Sequence, residues 1–351
     1  MKKYSLIICF SLIGIFVFIT SFIYKKNMLQ SKVLIDNTHT NPISNLTLIY
    51  LDITMQNIEA YNLKDNHIRK EKTPLLSYTK GVIPSYKYNT YHNLVCSLQR
   101  AQSQQEPSYL HNYYEDDQVV VMSYLGTLSD TYIVDKNSNT PHPISFSSDM
   151  ELPYIELPYI YVSYIKVAKD TLILLSMKAN EYEAIVYTVS LNDYKVINCK
   201  SIPIAEDAVK IQAHAITNQG NCIFAMDKQL MTYNPFTDQI NYTMLPFSCT
   251  LIVLGDTQNI FLGSVTENSI RYVLLDDHFN IIKTSKLSLP APNAHIISLI
   301  YKNSCLYVAT YHPNYILYPN YISVYALEGS KLIYCTAFLE KKHKALVYLY
   351  L

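Results

Sequence analysis

The chain has 351 residues, enough for one large domain or two of average size. Hydrophobic residues make up 49% of it, which excludes a disordered chain and is sufficient for a large core. The 28 basic residues balance the 28 acidic ones, so the composition predicts no broad nucleic-acid-binding surface and no nucleic-acid partner. Glycine is scarce, with seven residues, so Asn and Asp must form most turns.

The first predicted element is an N-terminal apolar run, Tyr4 to Tyr24, without a charged residue and flanked by lysine pairs. Its length is enough to span a bilayer as a helix. No A-x-A-like site follows it, which favours an uncleaved anchor over residues 1–26; a cleaved signal peptide is the alternative. The very short N-terminal tail favours a single-pass cell-membrane protein with its C-terminal domain outside the cytoplasm. Residues 27–44 are polar and predict a tether, and residues 45–351 form the β domain.

One two-part pattern recurs six times in the β domain. Its first part is a short apolar run that ends in a small or acidic residue, found at Leu48–Asp52, Val119–Ser123, Leu172–Ser176, Ile223–Asp227, Ile260–Ser264 and Leu306–Thr310. Its second part follows roughly 10 to 19 residues later and is an aromatic strand end, a turn and a new β run. These second parts begin at Tyr61, Tyr132, Tyr187, Tyr233, Tyr272 and Tyr325. Repeats of this size without a helical period predict a β-propeller.

The repeats predict an all-β, six-bladed propeller with four antiparallel strands in each blade. The predicted innermost strands of the last four blades are Tyr161–Val167, Val209–Ile216, Cys249–Leu254 and His295–Tyr301, and that of the second blade is Tyr91–Leu98. The first blade lacks an innermost strand, and the chain ends in a surplus strand, Ala345–Leu351. We expect this last strand to complete the first blade and close the ring, because closure removes exposed sheet edges. Seven blades remain the alternative if Pro74–Asp117 contains a degenerate one.

One unit of the pattern, SCLYVATYHPNYILYPNYISVYALEGSKLI, resembles the YVTN/NHL/PQQ-like group of β-propeller repeats. Such repeats carry an apolar LYVA strand, an xVYD strand and a turn that contains glycine. The resemblance extends to about six units and implies the propeller fold. This chain departs from the group in its few turn glycines, and the resemblance implies no particular function.

Two sets of residues are candidates for a site. His92, His214 and His295 fall on predicted innermost strands, where converging imidazoles could bind a divalent metal; a polar channel lining is the alternative.

A tyrosine-rich set lies on loops predicted to share one face: Tyr154, Tyr159, Tyr311, His312, Tyr315 and Tyr318. Rigid amphipathic rings suit a protein or peptide ligand, although tyrosine is common throughout this chain. The acidic groups Glu115–Asp117 and Asp276–His278 are interpreted as loop and turn residues rather than metal ligands.

No local catalytic, P-loop, zinc or dinucleotide-binding motif occurs, and no cofactor is expected. We therefore predict a membrane-anchored, extracytoplasmic, non-catalytic binding or scaffold module for a protein or peptide ligand. Two alternatives stay open. One is a hydrolase or lyase that acts on a sugar or lactone at a channel site; the other is a structural subunit of an envelope assembly.

Overall fold

The computed structural model describes residues 28–29, 31–37, 46–52, 58–64, 67–70, 78–79, 83–84, 110–116, 118–124, 131–138, 140–146, 161–177, 183–203, 211–255, 259–315, 318–338 and 344–350. Every regular element in these ranges is a strand. The described residues contain no helix with the length and apolar character needed to cross a membrane. The helix predicted at Tyr4–Tyr24 lies outside the described residues.

The strands form six sheets of four or five strands and one of two in the described part of the chain. In spatial order from one edge, the first sheet contains β29 (Lys344–Tyr350), β3 (Leu46–Asp52), β4 (Ile58–Lys64), β5 (His67–Lys70) and β1 (Met28–Leu29). The second contains β8 (Leu110–Glu115), β9 (Val119–Tyr124), β10 (Thr131–Asp135) and β11 (Thr140–Pro143). The third contains β13 (Tyr161–Ala168), β14 (Thr171–Met177), β15 (Glu183–Ser190), β16 (Lys195–Pro203) and β12 (Ser145–Phe146).

The remaining sheets repeat this order. The fourth contains β17 (Ala213–Ile216), β18 (Cys222–Met226), β19 (Gln229–Asn234) and β20 (Gln239–Met244). The fifth contains β21 (Leu251–Leu254), β22 (Ile260–Thr266), β23 (Ser269–Leu275) and β24 (Ile281–Ser288). The sixth contains β25 (His295–Lys302), β26 (Cys305–Tyr311), β27 (Asn320–Ala326), β28 (Lys331–Phe338) and β2 (Ser31–Asp36). The small hairpin is β6 (Tyr78–Thr79) and β7 (Ile83–Pro84).

The sheets are arranged as in a β-propeller. Their first strands lie side by side in the order β8, β13, β17, β21, β25 and β29. Apolar clusters lie between successive sheets from the second to the sixth, and another joins the sixth to the first. The all-β, propeller-like fold predicted from the repeats is thus confirmed.

The two ends of the β domain meet in the first sheet. Strand β29 pairs antiparallel with β3, with Leu349 opposite Leu48 and Ala345 opposite Leu51. The sequence predicted this pairing from a strand missing at one end and a surplus strand at the other. Pairing covers the open edge of β3, which would otherwise present unpaired backbone groups.

The N-terminal segment differs in part from the predicted tether. Within residues 27–44, Ser31–Asp36 forms β2, which pairs antiparallel with β28 at the outer edge of the sixth sheet. Val33 and Ile35 face the protein and pack against apolar clusters. This alternation of partly buried and exposed residues has the period of a half-buried strand. The boundaries predicted for the anchor (residues 1–26), the tether (27–44) and the β domain (45–351) stay predictions.

The second sheet begins later in the chain than expected. Its first strand is Leu110–Glu115, which pairs with β9, whereas the predicted Tyr91–Leu98 lies outside the described residues. The connection to β9 is a tight turn in which Asp116 Oδ1 accepts the N–H groups of Gln118 and Val119 at 2.8 Å. An Asx turn of this kind places the two strands next to each other.

Several tight turns use left-handed backbone conformations without glycine. Lys169–Asp170 and Asn303–Ser304 join the first two strands of the third and sixth sheets, and all four residues have φ between 50° and 58°. Two consecutive positive φ angles are typical of a type I′ hairpin turn, whose twist matches that of the strands. Asn and Asp tolerate this conformation better than most residues, as the scarcity of glycine predicted.

Candidate binding site

The connections of an antiparallel sheet alternate between its two ends. In the described part of the sixth sheet, the turn between β25 and β26 lies at one end, and the loop between β26 and β27 lies at the other. The linker that enters this sheet from β24, residues 289–294, reaches the same end as that loop. The two segments are in contact, because His312 hydrogen-bonds to the Pro292 carbonyl.

The loop from His312 to Pro319 is closed by its own backbone. His312 N–H donates to Pro319 O at 2.7 Å, which ties the two ends of the loop together. Tyr315 N–H donates to His312 O at 3.1 Å and forms a β-turn with Pro313 at its second position. The proline ring fixes φ near the value that this position requires, so the turn is preorganised.

His312 is the buried centre of this loop, with 0% of its surface exposed. Its Nδ1 lies 3.3 Å from Pro292 O, and its Nε2 lies 3.0 Å from Thr310 Oγ1. A carbonyl can only accept, so Nδ1 carries the proton and Nε2 of the neutral ring accepts from the Thr310 hydroxyl. Burial lowers the pKa of His312, the Pro292 carbonyl raises it, and repulsion from His295 lowers it further.

Two tyrosine rings enclose the imidazole. The Tyr321 ring centroid lies 4.6 Å from that of His312, and the Tyr315 centroid lies 5.7 Å away in an edge-on arrangement. The two tyrosines also contact each other at 6.1 Å. We call His312, Tyr315 and Tyr321 the aromatic loop cluster. Tyr321 is 7% exposed, whereas Tyr315 is 40% exposed and is the member that faces solvent.

The predicted tyrosine-rich residues differ in their surroundings. Tyr311 is partly buried and lies opposite His295 on one side and Asn320 on the other. Tyr318 is also partly buried and packs against a cluster that contains Tyr321. Tyr154 and Tyr159 lie outside the described residues, so their place on this face stays a prediction.

Three contributors to the cluster were not predicted from the sequence: Thr310, Pro292 and Tyr321. Thr310 and Tyr321 face each other across β26 and β27, which a pattern of alternating strand residues could have indicated. Pro292 comes from the preceding linker, and no local sequence signal places it beside His312.

The histidines proposed for a metal site are not brought together in the described part of the chain. His214 lies on β17 and is partly buried, and burial lowers its pKa. His295 begins β25 and is exposed. Neither belongs to a group of three or more potential ligands within bonding distance of one another in the described ranges. His92 lies outside them, so the proposed triad stays untested.

The one such group that the described residues contain is Asp276, Asp277 and His278. Asp276 Oδ1 accepts the backbone N–H groups of His278 and Asn280, and its Oδ2 accepts from the Asn280 side chain. These hydrogen bonds lower the pKa of Asp276. The carboxylate therefore organises the turn between β23 and β24, in agreement with the interpretation from sequence.

The described cysteines have the character of small apolar residues. Cys199, Cys222, Cys249, Cys305 and Cys335 are unpaired. Burial raises the pKa of Cys199 and of Cys249 to about 11. Their thiols therefore stay protonated at neutral pH, unlike those of nucleophilic cysteines.

No family model and no curated protein sequence matches the chain. Among solved structures it is similar to a protein of unknown function from Bacteroides caccae. The two sequences are 10% identical, the match covers 87% of this chain and 98% of that one, and the TM-score is 0.42. It is also similar to the extracellular domain of a putative one-component system from B. thetaiotaomicron, at 14% identity, 85% and 34% coverage and a TM-score of 0.41. A third similar structure is hydrazine synthase from Kuenenia stuttgartiensis, at 10% identity, 60% coverage of each chain and a TM-score of 0.41.

The chain thus spans 60% of the hydrazine synthase chain and 34% of the B. thetaiotaomicron chain. All three TM-scores are below 0.5, so these likenesses carry no argument about family or function. The fold rests on the sheets of the chain itself.

Proposed function

We propose that the chain is a non-catalytic binding or scaffold module for a protein or peptide ligand. In this proposal residues 1–26 anchor it in the cell membrane, and a six-bladed propeller of the YVTN/NHL/PQQ-like type lies outside the cytoplasm. Six blades are supported by the pairing of β29 with β3, which completes the first sheet with a strand from the far end of the chain. A seventh blade would need a further sheet within residues 71–109, most of which lie outside the described residues.

The observation that carries the proposal is the exposed ring of Tyr315, which is held in place by buried neighbours. A tyrosine has few side-chain torsions, and here edge contacts with His312 and Tyr321 restrict them further. The Pro313 turn restricts the backbone in the same way. A side chain that is ordered before binding loses little conformational entropy on contact with a ligand. Such tyrosines are frequent among the residues that dominate the affinity of protein interfaces.

The test uses the full-length chain in detergent and a random twelve-residue peptide library. A selected peptide is labelled, and its affinity is measured by fluorescence anisotropy for the wild type, for Tyr315→Ala and for the control Ile197→Ala. Ile197 is an exposed residue on β16, distant in sequence from the loop. We expect Tyr315→Ala to weaken binding by roughly tenfold or more and the control to bind like the wild type. Equal affinities for all three proteins would refute the proposed contact surface.

A further inference from the structure

Strand β20 carries an exposed apolar stripe. Ile240, Tyr242 and Met244 are 38%, 57% and 68% exposed, and their spacing of two places them on one face of the strand. Their cross-strand partners on β19 are Tyr233, Met231 and Gln229. Tyr233 and Met231 belong to the core between the third and fourth sheets, so the stripe extends an apolar face beyond the edge of that core.

The outer edge of β20 lacks the protection that the other described outer edges have. Three of these edges are covered wholly or in part by an extra strand of the same chain: β1 covers part of β5, and β2 covers part of β28. Strand β12 covers Lys195 and Val196 of β16, whose remaining edge contains Lys200 and Pro203. The edge strand β11 contains Pro141 and Pro143, and the edge strand β24 contains Lys283 and Lys286. Extra strands, prolines and lysines are the usual means of preventing edge pairing. Strand β20, with the sequence QINYTM, has neither proline nor charge and ends its sheet.

The backbone of β20 presents its free hydrogen-bonding groups at the stripe residues. Just beyond the ends of β20 and β19, Leu245 N–H donates to Lys228 O at 2.7 Å. Every second residue of an antiparallel strand bonds to the neighbouring strand, so the residues of β20 that bond to β19 are the odd-numbered ones. Ladder bonds alternate along an antiparallel pair, so Ile240, Tyr242 and Met244 turn their N–H and C=O groups away from β19. The same three residues therefore carry both the apolar side chains and the outward backbone groups.

We propose that β20 pairs antiparallel with β20 of a second copy of this chain, about a two-fold axis at Tyr242. In this register Tyr242 faces Tyr242 of the other copy, and Ile240 faces Met244. Each outward N–H or C=O group then meets an outward group, and the two stripes form one apolar face. No residue from Gln239 to Met244 is charged, so the symmetric pairing places no like charges opposite each other.

The pairing joins two four-stranded sheets into one continuous sheet. An interface made by a single strand pair is smaller than the roughly 1,200 Å² typical of stable complexes, so the dimer is weak and reversible. This inference is independent of the proposed ligand-binding role, because it concerns a different strand and sheet.

Cysteine cross-linking of the full-length chain tests the register. Cα atoms of residues directly opposite each other lie about 5.5 Å apart or closer, which a disulfide can span. We expect Tyr242→Cys to form a covalent dimer under mild oxidation. The matched control is Ile197→Cys, because Ile197 is similarly exposed at 59% but lies on β16, which pairs with β12 at Lys195 and Val196 and also contains Lys200. A wild type that shows no self-association, together with equal cross-linking of the two variants, would overturn the proposal.

Charge substitutions at the axis give a second, independent readout by sedimentation of the full-length chain. In a dimer of either variant, Tyr242→Lys or Tyr242→Glu, two like charges lie opposite each other at the axis. We therefore expect each variant alone to dimerise at least roughly tenfold more weakly than the wild type. A mixture of the two variants restores dimers, because lysine then faces glutamate. Rescue by mixing cannot come from misfolding of either variant. Dimerisation of Tyr242→Lys alone at the wild-type strength would refute the two-fold register.

Discussion

At the scale of single residues, the repeated tyrosines explain much of the unusual composition. Tyr61, Tyr187, Tyr233, Tyr272 and Tyr325 each lie on the third strand of their sheet and are at most 3% exposed. Their rings fill the space between sheets, and some of their hydroxyls form hydrogen bonds: Tyr272 bonds to Ser330 at 2.7 Å, and Tyr325 bonds to the Ser288 carbonyl at 2.8 Å. The hydroxyl of a buried tyrosine usually has such a partner. These five tyrosines of the repeat are therefore core residues, in contrast to the exposed Tyr315 of the loop.

The buried imidazole of His312 predicts a loss of stability in acid. Burial and His295 lower its pKa in the folded protein, so below the unfolded value of about 6.5 the unfolded state binds more protons. Stability is therefore fully present above that pH and decreases as the pH falls through the window down to the folded pKa. We expect the urea midpoint, followed by tyrosine fluorescence, to fall between pH 7.5 and 5 in the wild type.

The variant His312→Gln should show a shallower fall, because one of the contributing groups is gone. A residual slope is expected from His214, whose pKa is also lowered by burial. The control is His278→Gln, since this histidine lies exposed in a surface turn. If His312→Gln kept the full wild-type slope, His312 would not be a source of the acid sensitivity.

At the scale of elements, the sequence predicted strands well where hydrophobic alternation and turn residues agree. The predicted starts of β13 and β25, at Tyr161 and His295, coincide with the structure, because each strand follows a polar or proline-containing linker. The first strand of the second sheet was misplaced, since LHNYYE contains few of the aliphatic residues that mark a core strand. Strand β2 was missed because its partner β28 lies about 300 residues away, and no local pattern encodes such a pairing.

The same limit applies to the aromatic loop cluster. The sequence singled out His312 and Tyr315 by local enrichment in aromatic residues, but it did not indicate that one is buried and the other exposed. That difference depends on Pro292 and Tyr321, which approach from other segments. Burial at a site assembled from several loops is a property of tertiary packing, and composition does not determine it.

Strand β2 gives a prediction about the N-terminal segment. Ile35 packs against a cluster that contains Tyr321 and Cys335, whereas the neighbouring Leu34 is 43% exposed. Ile35→Asp places a charge against this cluster, so we expect it to lower the free energy of unfolding by about 1–3 kcal/mol. Hydrogen exchange of the amides in β28 should accelerate in parallel, because β2 covers that edge.

The matched control is Leu34→Asp, which makes the same chemical change one residue away at an exposed position. It should alter the free energy of unfolding by less than about 0.5 kcal/mol. Equal effects of the two substitutions would show that β2 does not pack against the sixth sheet through Ile35.

At the scale of the whole molecule, apolar clusters join each sheet to the next from the second to the sixth, and a further cluster joins the sixth sheet to the first. Leu46 and Leu48 of β3 share a cluster with Tyr307, Ile322 and Val324 of the last sheet. The beginning and the end of the β domain are thus joined twice, by this packing and by the pairing of β29 with β3. Contacts between residues so far apart in sequence make closure a late event in folding, because each requires a long loop to close.

Covalent closure tests this arrangement directly. Leu48 and Leu349 lie opposite each other, so the double variant Leu48→Cys/Leu349→Cys should form an intramolecular disulfide. The bond closes a loop of roughly 300 residues and should make the oxidised variant about 3–5 kcal/mol more stable than the same variant reduced. The urea midpoints of the two forms measure the difference. The control pair Leu48→Cys/Ala345→Cys separates the thiols by four residues along β29, about 13 Å, and should stay reduced. Oxidation of the control pair with equal yield would contradict the observed register, and with it the pairing of β29 with β3 in one sheet.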